Sequence, residues 1–163
     1  MTVDGVGLLV RIDEKLTGPG YVDILENNLS LSAKLLKLGK KYLFQQDNDP
    51  KVSLTSMQSL LSYCSDDLFL SQHTSKVAKA WFEKNKVEVM DWPSMSPDLN
   101  PIEHLWKMLK IAVHEHNVSN KEEAWEVCQQ EWKKLGPQCK TLVVSMNRRC
   151  EAVYKAKGGP SKY

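Results

Sequence analysis

The sequence predicts an α/β fold with parallel strand pairing. Three observations carry that prediction. Short runs with strand character occur at residues 8–12, 41–47 and 87–91, stretches with helical periodicity lie between them, and everything after residue 101 reads as helix. A helix between consecutive strands returns the chain to the same end of a sheet, which is how parallel neighbours are joined. The length of 163 residues, with 42% hydrophobic and 26% charged residues, suits one globular domain with a real core.

Leu8, Leu9, Val10 and Ile12 form the first apolar run, a candidate strand closed by Gly18-Pro19-Gly20. From residue 21 to 38, Ile24, Leu25, Leu29, Leu31, Leu35 and Leu36 recur at helical spacing, and Gly39 is a natural stop. Lys41-Tyr42-Leu43-Phe44-Gln45-Gln46-Asp47 reads as a second strand, ended by Asn48-Asp49-Pro50. Residues 74–86 follow as a helix with Val77, Ala78, Trp81 and Phe82 on one face, and Val87 to Asp91 as a third strand. Pro93, Pro97 and Pro101 punctuate the loop after it. Ile102, Leu105, Trp106, Leu109 and Val113 then mark one helix, and Ala124, Val127, Cys128, Trp132 and Leu135 the next. Gly136-Pro137 separates a last helix, expected from about Leu142 to Ala156.

Composition narrows the function classes. The four cysteines form no C-x-x-C pair and have no histidine at zinc-finger spacing, so they read as reduced thiols of an intracellular protein. No apolar stretch is long enough to span a membrane, and no signal peptide is visible. A net charge of +2 decides nothing, but its distribution does. From Lys140 onward six basic residues face one acid, Glu151, an end suited either to a polyanion or to plain solvation.

Two carboxylates stand out, each with a bland reading. Asp47 closes a strand, where open α/β sheets place ligands, yet Asp-Asn-Asp-Pro is also an ordinary turn. Glu103 follows Asn100-Pro101-Ile102, a good helix start with Asn100 as cap, Pro101 as first helical residue and Glu103 completing a capping box. Lys107, four residues on, is a further partner for it.

The two segments together say more than either alone. "FQQDNDPK" followed by "WPSMSPDLNPIEHLWKMLK" resembles the catalytic domain of the Tc/mariner superfamily of DDE transposases, nearest its Tc-like branch. The resemblance implies a ribonuclease H-like core, Mg²⁺ or Mn²⁺ as cofactor, and DNA cleavage and rejoining at transposon ends. It further implies DNA as partner, a homodimer as assembly, and the nucleus as location. It places the second and third catalytic, metal-binding carboxylates on Asp47 and Glu103. Two divalent ions ~4 Å apart can clamp the attacking and leaving oxygens of a phosphoryl displacement, and hard cations of this kind take oxygen ligands. Arg148, Arg149 and Lys155 are the candidate DNA-phosphate contacts, with a solvated helix edge as the alternative. His104 is expected to pack rather than to react.

Against the family's pattern the chain departs in two ways. Asp47 and Glu103 are 55 residues apart in the intervening chain, and deleting the 21 residues 52–72 restores the family's run as "DNDPKHTSKVAKAWF". Lys51-Val52-Ser53 fits a splice-donor codon sequence, and Leu68 to Gln72 a pyrimidine tract closing in an acceptor, so residues 52–72 are expected to be an insertion of retained-intron type. The rival is a loop acquired by the protein, which closure entropy tolerates. The second departure is at the start. The first catalytic Asp and the helix-turn-helix arms of the family are not expected within residues 1–163, Asp4 falling on the wrong strand, so the core reads as amino-terminally truncated and catalytically incomplete. Two other functions remain open. A repurposed DNA-binding module would bind DNA regardless of Asp47 and Glu103, and a transposon relic would have no stable fold.

Overall fold

A computed structural model of the chain describes residues 1–13, 16–39, 41–46, 75–93, 96 and 99–157. Asp47 and the block 52–72 lie outside these. The described residues divide into two units, one of residues 7–46 and 75–93 and one of residues 1–6, 96 and 99–157.

The first unit holds two helices and two strands. Helix α1 is Gly18–Leu35, strand β1 Leu43–Phe44, helix α2 Lys76–Lys84 and strand β2 Glu88–Val89. The strands pair in parallel, Leu43 opposite Glu88 and Phe44 opposite Val89, as the strand–helix alternation predicts. Met90 N–H extends the ladder by donating to Phe44 O at 2.8 Å. Both helices begin with a hydroxyl cap. Thr17 accepts from Gly20 N–H and Ser75 from Ala78 N–H, each satisfying an amide that has no intrahelical partner. Tyr21 and Leu25 from α1 meet Ala78 and Phe82 from α2 in one buried cluster, with Phe44 and Val89 packed against it. Phe44 and Phe82 lie 5.5 Å apart between ring centres, and Trp81 meets Phe82 edge-on at 5.4 Å. The sheet is thus seated on an aromatic floor laid by two helices.

Three boundaries differ from expectation. Residues 8–12 form no strand. Leu8 N–H donates to Ser32 Oγ of α1 at 3.1 Å, so its backbone is committed to a helix side chain rather than a ladder. The chain passes so close here that a Cβ on Gly7 would lie 3.1 Å from Ser32. Helix α1 stops at Leu35, before Gly39, because Lys37 takes the left-handed conformation at φ 53°. Leu38 N–H then bonds Ala33 O and Lys37 N–H bonds Lys34 O, the paired closure that glycine usually makes. Lys86, φ 53°, closes α2 in the same way.

The second unit is helical. It comprises α3 (Ile102–Glu115), α4 (Lys121–Lys134), α5 (Gly136–Val144) and α6 (Met146–Lys155), and includes residues 1–6, where Thr2 and Gly5 form an isolated bridge. Leu105, Leu109 and Val113 bury one stripe of α3, and Ala124, Cys128 and Trp132 one stripe of α4. Trp132 stacks on Trp106 at 4.9 Å, while neighbouring Glu131 reaches His116 at the far end of α3, so the last turns of α4 lie across that helix. Burial raises the Cys128 and Cys139 thiols, keeping them protonated and inert, and Cys150 is likewise unpaired. The single tail helix expected after Leu142 is instead two. Ser145 Oγ donates to Leu142 O at 2.6 Å, and a hydroxyl bonded back into its own helix bends it there.

Candidate functional site

Asp47 itself is outside the described residues, but the strand leading to it is not. Because β1 and β2 are parallel, both end at the same edge of the sheet, the edge where α/β folds bind ligands. Gln46, the last described residue before Asp47, accepts a hydrogen bond from the Tyr21 hydroxyl at 2.9 Å. Tyr21 is buried in the aromatic cluster, so the end of the strand is anchored to the core through a phenol.

Glu103 belongs to the other unit and is the second residue of α3, half-buried. The helix starts one residue later than the capping-box pattern predicts. Pro101 flanks it without a side-chain cap, and Asn100, 8% exposed, accepts from Ile102 N–H at 3.4 Å. Glu103 N–H reaches Asn100 O at 3.3 Å. A carboxylate in the first turn also faces the positive end of the helix dipole.

His104 follows. Its Nδ1 lies 3.4 Å from Nη1 of Arg149, and burial first, then the Arg149 and Lys107 charges, lower its pKa. Arg149, a candidate DNA-phosphate contact, is 2% exposed, with Nε donating to Ser145 Oγ at 2.9 Å. Arg148 and Lys155 are exposed, and Lys155 sits 3.8 Å from Glu151. The burial of Arg149 was not foreseen, because an arginine in a basic tail is ordinarily solvated. The available signal was its place four residues after Ser145 and four before Val153, on one helical face.

Among the described residues no group of three or more His, Cys, Asp or Glu side chains could hold a metal ion. Glu103 supplies a single carboxylate, whereas Mg²⁺ wants an octahedron of oxygens. The described residues alone therefore do not compose a divalent-metal centre. No helix among them is long and apolar enough to cross a membrane.

Residues 69–125, a span that includes Glu103, match the DDE superfamily endonuclease model. The chain is 39% identical over 156 residues to the transposable element Tcb2 transposase of Caenorhabditis briggsae, covering 95% of this chain and 49% of that protein. The chain belongs to the DDE superfamily. The Tcb1 transposase of the same species is 38% identical over 97% of this chain and 50% of its own length. The Tc1 transposase of Caenorhabditis elegans is 35% identical over 99% and 52%. This DDE-type chain thus spans about half the length of the curated relatives it matches. DDE endonucleases generally use divalent metals, and a parallel sheet flanked by helices agrees with the ribonuclease H-like core that the family implies.

Proposed function

We propose that the chain is part of the nuclease domain of a DNA transposase, with Asp47 and Glu103 as two of three carboxylates that bind Mg²⁺ or Mn²⁺ for cutting and joining DNA at transposon ends. The observation that supports this most is the run "SPDLNPIEHLW" around Glu103, which lies within the family-matched segment and opens helix α3. In this reading the protein works on DNA in the nucleus. Residues 1–163 form a partial catalytic domain with residues 52–72 inserted in it. With two acids of a three-acid centre, the 163 residues alone leave transposon ends uncut.

A graft tests the whole reading. The corresponding half of the Tc1 transposase is replaced by this chain, with and without residues 52–72, and excision of a marked element is scored. Excision is expected from the graft lacking the block, and its loss in Asp47→Ala and in Glu103→Gln. Equal excision from the Glu103→Gln graft would remove Glu103 from the centre. Equal excision with the block retained would show that it is no disruptive insertion. Magnesium-dependent nicking by the ungrafted chain, abolished by Asp47→Ala, would overturn its inactivity.

A further inference from the structure

Arg149 is a charged side chain only 2% exposed. A guanidinium keeps its charge at any ordinary pH, so enclosing one is unfavourable unless its donors are used. Its Nε donates to Ser145 Oγ, at the joint between α5 and α6, and Ser145 is itself buried. Its Nη1 reaches across to His104 Nδ1, 45 residues away in sequence and adjacent to Glu103. Arginine can only donate. Nδ1 of His104 is therefore the accepting nitrogen, and the ring proton belongs on Nε2.

Within that turn Ile102 N–H meets Asn100 Oδ1 at 3.4 Å and Glu103 N–H meets Asn100 O at 3.3 Å, and Pro101 brings no side-chain cap. The Arg149 contact, also 3.4 Å long, adds a reference from outside the helix, through a planar guanidinium held at the α5–α6 joint by Ser145.

We propose that Arg149 is a positioning residue: from α6 it grips His104, holds that ring as the Nε2–H tautomer, and thereby fixes the turn on which Glu103 stands. Its catalytic consequence rests on the reading of Glu103 as a metal carboxylate, whereas the contact itself does not. Orientation from outside the ligand set matters in metal sites, where loss of such a partner costs about 10- to 100-fold in affinity or activity.

The test is nitrogen-15 NMR of the full chain near neutral pH, first without metal. The wild-type His104 ring is expected to show an unprotonated, accepting Nδ1 and a protonated Nε2. A proton on Nδ1 would overturn the proposal without any variant being needed. In Arg149→Met the ring is expected to lose its single tautomer and the amides of Ile102 and Glu103 to shift. Arg149→Lys, still a donor, should restore the tautomer in part. Should Arg149→Met fail to fold, Ser145→Ala removes the other anchor and should loosen the same ring. An unchanged ring in a folded Arg149→Met variant would also sink the idea. Mn²⁺ is then added. Broadening of the Glu103 amide is expected in the wild type and should need about tenfold more Mn²⁺ in Arg149→Met. Broadening that is equal in both disproves positioning. No broadening even in the wild type overturns the metal reading of Glu103 instead, and the metal-free spectra separate that failure from the first.

Discussion

The two units tie down their functional segments by opposite means. In the sheet-bearing unit the strand end before Asp47 is held by neutral packing. Tyr21, Leu25, Ala78 and Phe82 are buried together, and one phenol reaches Gln46. In the helical unit the neighbourhood of Glu103 is held by buried polar groups, among them Asn100, Ser145 and Arg149. Packing is non-directional, so it stabilises without demanding a particular side-chain orientation. A buried charge is costly unless each donor is met, so it discriminates among orientations while adding little net stability. A strand of two ladder residues needs the former, because its own hydrogen bonds are too few. A helix end proposed to present one carboxylate is suited to the latter.

Core truncation should separate the units most sharply. Phe82→Ala is expected to cost about 3–5 kcal/mol and Leu105→Ala about 2–5 kcal/mol, each read by urea unfolding. If each unit folds by itself, each variant should shift one transition and spare the other, whereas a single shared shift would make the division one of geometry only. Next in size is the cap of α4, where Asn120 Oδ1 accepts from Glu123 N–H at 2.9 Å. Asn120→Ala should destabilise the helical unit by about 1 kcal/mol. Tyr21→Phe removes the hydroxyl that meets Gln46 and leaves the ring in the cluster. Its cost should be about 0.5–1.5 kcal/mol, accompanied by faster amide exchange at Gln46, and unchanged exchange would mean that the phenol does not hold the strand end.

Smaller effects follow. Lys37→Gly and Lys86→Gly relieve side-chain crowding at φ 53° and should each gain up to about 1 kcal/mol, less the extra freedom glycine adds to the unfolded chain. Thermal unfolding measures both. The least is a pH effect confined to the helical unit. Glu131 is held below its ordinary value, chiefly by the Lys134 hydrogen bond, with burial opposing and His116 assisting. A carboxyl with a depressed folded pKa binds fewer protons folded than unfolded, so its stabilisation is present above pH 4.5 and lost below it as the folded group protonates. Glu131→Gln should flatten this part of the acid limb, and an identical limb in both proteins would show the ion pairs to be inconsequential.

Much of this was legible in the residues. The order of elements after residue 18, the parallel pairing and the two stripes of α3 and α4 follow from periodicity, since burial of one face is what periodicity records. The helix ends were less so. Lysine in the left-handed region runs against residue preference, and only the closing hydrogen bonds at Leu38 and Val87 make it worthwhile. The break at Ser145 depends on which carbonyl its hydroxyl chooses, which no pattern specifies. Leu8 to Ile12 has the composition of a strand but is occupied with Ser32. As for the candidate site, local chemistry left Asp47 a turn residue and Glu103 a capping residue. The proposal that they act together rests on long runs shared with a family, because metal ligation would be a property of convergence and neither segment carries it alone. The inward turn of Arg149 was hidden, since a charge in a basic tail carries no mark of burial.

The stacked indoles of Trp106 and Trp132 have a practical consequence. Two such chromophores stacked 4.9 Å apart, with ring planes 16° from parallel, are close enough for their electronic transitions to couple. They should give the helical unit a circular-dichroism couplet that neither ring produces separately and that vanishes when α3 and α4 part. The protein thus carries its own optical gauge for the helix pair that bears Glu103, readable without a label while DNA or metal is titrated in.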